Sequence, residues 1–115
     1  MTDDQTVLNL TALSTELLDK ARASHSGRAA KGIFVGAYLR QALLTLSAGS
    51  ELADHDSPPE ATLQVLRGEV RLATADDSWE LSEGDLIAIP SQRHSVTALS
   101  DAASILTIRT DVAGA

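Results

Sequence analysis

The chain has 115 residues, a formal net charge of −7, no cysteine and only 3% aromatic residues. That size allows one domain with one core, and the missing thiols exclude disulfides, thiolate metal sites and a cysteine nucleophile. The acidic balance and scarce aromatics disfavour a nucleic-acid partner, which needs clustered Lys and Arg or stacking platforms.

Met1 to Gln5 is polar and acidic and does not read as a secretion signal. No apolar run reaches the ~20 residues of a membrane helix. A cytoplasmic protein with no membrane contact is the expectation. Leu10, Leu13, Leu17, Leu18 and Ala21 then recur at helical spacing. They predict an amphipathic helix over 11–24, with Thr11 as N-cap, Glu16 and Lys20 as an i,i+4 pair, and Gly27 as the stop.

From Gly32 onward short runs of Val, Ile, Leu and Thr are broken by Gly, Pro and Asp, the pattern of β-strands. Strands are predicted at 38–47, 51–55, 61–67, 69–74, 78–82, 86–89, 94–99 and 103–109, with turns such as Ala48-Gly49, Arg67-Gly68 and Glu83-Gly84 between them. Many short, regularly spaced strands predict a sandwich or barrel. The organisation read from the chain is a tail and helix over 1–31, a barrel over 32–110 and a C-terminal tail over 111–115.

Two phrases within this β region carry a resemblance. In the first, Gly49 is followed after five residues by His55, with Gly68 further on; in the second, Gly84 is followed after five residues by Pro90 and then by His94. Together with Leu66-Arg67-Gly68-Glu69-Val70 and Trp79 to Pro90, the stretch from Gly49 to Ala98 resembles the two signature motifs of the cupin superfamily. The resemblance implies an all-β fold, a cupin jelly-roll β-barrel with one N-terminal α-helix. In family members with the complete motif, three His and one Glu hold a divalent metal. Here Ser57 stands at the second His position and Ala61 at the Glu position beside Glu60, while Gln92 and Ala98 replace a Gly and an Asn of the second motif.

The resemblance therefore implies a pocket lined by His55, Ser57, Ala61, Leu63, His94 and Val96, with His55, His94 and Glu60 as candidate ligands for iron, manganese, nickel, copper or zinc. Strand alternation back from Gly68 puts Ala61, Leu63 and Val65 on the inner face and Glu60 on the outer one, unless the Pro58-Pro59 turn shifts the register. Tyr38, Gln41 and Gln64 are candidates either for the cavity lining or for an outer face. Trp79 is expected to pack as a half-buried strand residue, and His25 to favour the negative end of the helix. Ser57 and Ser95 have no carboxylate-backed histidine in the sequence and are poor nucleophiles.

Three functional readings follow. The first is a binding or sensory module that takes a small molecule, with or without a weakly held metal. The second is a metal-dependent oxidoreductase of dioxygenase type, or an isomerase, using His55, His94 and Glu60. The third is a scaffold that meets a protein partner. A homodimer is expected in each, because eight short strands and a Leu-rich helix offer more apolar faces than one small interior absorbs.

Overall fold

The computed structural model describes residues 6–55 and 60–110. Two antiparallel sheets face each other. One has five strands in the order β1-β2-β9-β4-β7 and the other four in the order β3-β8-β5-β6. The strands are β1 (Arg28–Val35), β2 (Leu39–Leu46), β3 (Glu51–His55), β4 (Ala61–Arg67), β5 (Val70–Ala73), β6 (Ser78–Leu81), β7 (Leu86–Ala88), β8 (His94–Ala98) and β9 (Ala102–Arg109). A single helix, α1 (Leu10–Ala23), precedes them.

Period-two alternation builds the core. Leu63 and Val65 of β4, Val70 and Leu72 of β5, Val96 and Ala98 of β8, and Leu46 of β2 are buried together between the sheets. Arg71 and Glu80, on the opposite face of the β5–β6 pair, form an exposed ion pair at 2.8 Å. Trp79 is opposite Leu72 on edge strand β6 and is exposed, at 38%, outside the core clusters.

The outer face of the five-stranded sheet carries a second apolar cluster, in which Leu17 of α1 packs with Leu43 and Ile105, flanked by Leu10, Leu13 and Ala29. Thr45 anchors the helix from below, its buried hydroxyl lying 3.1 Å from the Leu17 carbonyl and 3.0 Å from that of Ala29. Toward the C-terminal end of α1, Arg22 forms an ion pair with Asp101 in the β8–β9 corner at 2.6 Å. Asp101 also accepts from the Ala48 backbone N–H at 2.8 Å. That hydrogen bond, then the Arg22 guanidinium, holds its carboxyl below the usual carboxylate range.

Two expectations need correction. The N-cap is Asn9 rather than Thr11: its Oδ1 accepts from the Ala12 N–H at 2.9 Å, and Thr11 lies inside the first turn. A further strand, β1, starts at Arg28, ahead of the change of pattern at Gly32. Its Arg-Ala-Ala-Lys-Gly stretch has weak strand propensity, and pairing with β2 along its length supplies what propensity does not. Gly68 shows why its turn needs glycine: its φ is +78°, and a Cβ there would collide with the carbonyl oxygen of Asp101.

Candidate functional site

The two histidines come together through strand pairing. β3 and β8 are antiparallel, with Leu52 opposite Val96 and His55 opposite His94. Between these pairs β3 has one residue more than β8, a bulge at Ala53–Asp54. Even pairing from Leu52 would have set residue 54 against His94; the bulge sets residue 55 there instead.

His94 is 1% exposed and shares its face with Val96 and Ala98, buried at alternate positions of β8. Its imidazole is therefore on the inner, core-lining face. Nδ1 lies 3.0 Å from the Gln92 carbonyl oxygen. A carbonyl only accepts, so Nδ1 is the donor in this contact. A backbone carbonyl behind the opposite nitrogen is the arrangement that orients a metal-ligating imidazole.

Several strand ends gather around this pair. β3 ends where β8 begins, and β4 begins where β9 and β7 end. Residues 89–93 join the end of β7 to the start of β8, so all of these belong to one end of the sandwich. Ala61 and Leu63, both expected in the pocket, are on the inner phase of β4, Leu63 fully buried and Ala61 partly so. Val96 is buried in the core beside them. Ser57 lies outside the described residues.

Glu60 does not join the histidines. Its Oε1 accepts from Arg109 Nη1 at 3.0 Å, with both side chains at least half exposed. The cause is the alternation itself: Thr62, Thr107 and Arg109 share the outer face of the five-stranded sheet, and Glu60 is in phase with them. With Tyr38, Leu39 and Ala88 they bound a groove of ≈ 720 Å³. Ala61 and Ile89 also line this groove, and His94 does not. Gln41 is on the same outer face, donating to Thr107 Oγ1 at 3.1 Å, and Gln64 is exposed there. His25 is exposed in the turn after α1. Among the described residues no group of three or more His, Asp or Glu could hold a metal ion.

One residue at this end escaped the sequence reading. On β2, Leu46 faces the core, and Ala42 and Arg40 follow it at even spacing, so Arg40 is on the inner face opposite Ile108 of β9. The available signal was a lone cation in the apolar phase of a strand, and it becomes meaningful only once the inner phase of β2 is known.

No family model and no curated protein matches the sequence. Solved structures do resemble the fold. A conserved protein of unknown function from Streptococcus pyogenes superposes with a TM-score of 0.71 at 17% identity, over 97% of this chain and 93% of that one. A cupin-2 domain containing protein from Shewanella frigidimarina gives 0.68 at 17% identity, over 90% and 95%. A mutant salicylate 1,2-dioxygenase from Pseudoaminobacter salicylatoxidans, in complex with gentisate, gives 0.72 at 19% identity, over 84% of this chain and 31% of the larger protein.

Proposed function

We propose that this chain, whose fold is that of a small cupin-type domain, is a binding module that takes a small molecule at the barrel end where His55 and His94 pair. The observation that carries the reading is the imidazole of His94, buried on the core-lining face of β8 with Val96 and in register with a second histidine. An imidazole among aliphatic core positions is a polar group able to fix the orientation of a small ligand.

In this reading the pocket is the expected set of His55, Ser57, Ala61, Leu63, His94 and Val96, of which Ser57 lies outside the described residues. His55 and His94 would hold a divalent ion of iron, manganese, nickel, copper or zinc, with water completing the shell. Two imidazoles without a carboxylate would suit a weakly held ion. Such an ion, when bound, would supply a Lewis acid for a ligand oxygen. The protein partner in this reading is a second copy of the chain, a view supported by the exposed Phe34, Val35, Tyr38, Leu39 and Leu86.

Melting curves of the metal-free protein, recorded with each divalent metal and with a panel of small organic molecules, test the reading. A rise in midpoint that is lost in His94→Gln supports it. No rise with any compound or ion would overturn it.

A further inference from the structure

We infer that the ligand of this barrel end is a small, largely apolar carboxylate whose charge is met by Arg40; this rests on the binding-module reading above. The inner face of the five-stranded sheet there presents Arg40, Ile108, Ala61 and Ile89 as neighbours across β2, β9, β4 and the end of β7. Three of these four are apolar. Arg40 is the one charged group in the row, at the same end of the sandwich as the His55–His94 pair.

What marks Arg40 out is its lack of a partner. In this acidic protein the other arginines are engaged: Arg22 with Asp101, Arg71 with Glu80, Arg109 with Glu60, Arg28 with the Glu51 carbonyl, and Arg67 with the Thr15 hydroxyl. Arg93 is also engaged. Among the described residues Arg40 alone of the arginines has a side chain with neither an ion pair nor a hydrogen bond. An inward-phased guanidinium with its donors uncommitted, in a chain of net charge −7, is placed to receive an anion from outside the chain.

The chemistry of the row selects the class of anion. A planar guanidinium pairs with a planar carboxylate through two parallel N–H···O bonds. The aliphatic neighbours suit a hydrocarbon or ring on the rest of the molecule. A phosphate dianion would need further donors, which the apolar members of the row do not provide. Arg109 lies at the same end but on the outer face, and Glu60 already neutralises it.

The test compares acids with their uncharged counterparts. Benzoate, hexanoate, benzamide, hexanamide and inorganic phosphate are titrated into the metal-free protein, with the imidazole signals of His94 and the backbone amide signals of the whole chain followed by NMR. The acids are expected to bind about ten- to a hundredfold more tightly than the amides and to shift the His94 signals. Arg40→Gln should abolish this preference, and Arg40→Lys should keep part of it. Arg40 is exposed, so the melting midpoint serves as a control that the variants remain folded.

If the amides match the acids, or Arg40→Gln keeps the preference, the role of Arg40 falls while the pocket stands. Phosphate binding as tight as benzoate would overturn the carboxylate class, and shifts confined to Thr107 and Arg109 would move the site to the outer groove. No binding by any of these compounds would overturn the inference, and with no response in the broader panel or to metal the binding-module reading falls too.

Discussion

His55 and His94 occupy facing positions in the β3–β8 ladder because β3 holds one more residue than β8 between that pair and the Leu52–Val96 pair. A bulge can re-aim a strand because each inserted residue reverses the face of everything beyond it. Removing Ala53 should take out the bulge and set Asp54 against Ser95, leaving His55 opposite His94. The expected outcome is a folded protein, by circular dichroism, whose melting midpoint keeps its response to metal. A lost metal response would show that the bulged backbone, rather than the facing register alone, is needed at the site.

His94 fills a buried position whose Nδ1–H donates to the Gln92 carbonyl. His94→Ala should lower stability by about 2 kcal/mol, through the cavity and the lost hydrogen bond. His94→Gln, which retains volume and an amide donor, should lose less. Urea unfolding of the two variants measures the difference.

Glu60→Gln removes the acidic partner of Arg109 on the outer face. Both side chains are at least half exposed, so stability should change by no more than about 1 kcal/mol. Metal affinity, measured by calorimetry, should be unchanged. A marked loss of affinity would return Glu60 to the site.

Asp101 governs an acid-sensitive contact. Its carboxyl is held below the ordinary value by the Ala48 N–H and by Arg22. The folded state therefore binds this proton less readily than the unfolded state, and the stabilisation is complete above the unfolded pKa, about 3.9. It is lost as pH falls through that value toward the folded one. Asp101→Asn should flatten the dependence of the melting midpoint on pH over that acidic window and leave the midpoint near neutrality lower by a few degrees.

Helix docking rests on Leu43 and Ile105 beneath Leu17. Leu43, fully buried, should cost about 2–5 kcal/mol when replaced by Ala. Hydrogen exchange should show the helix amides losing protection ahead of those of β8, because their apolar support comes from this outer cluster.

Local patterning was enough to read most of the architecture. Helical spacing from Leu10 to Ala21 and period-two runs between glycine turns identify α1 and eight of the strands, because each element must bury one side of its own repeat. The glycine-anchored His55 and His94 phrases brought two distant stretches to one barrel, and counting back from Gly68 put Leu63 and Val65 inside and Glu60 outside. β1 was not legible, since an Ala- and Lys-containing edge strand is held by its partner rather than by its own composition. The bulge at Ala53–Asp54 and the inward phase of Arg40 were not legible either. Both are properties of pairing: register is defined only between two strands, and the face a residue presents depends on which of its neighbours meets the core. The composition thus settled what could be buried, and the tertiary pairing of β2, β3 and β8 decided which polar groups were placed with it.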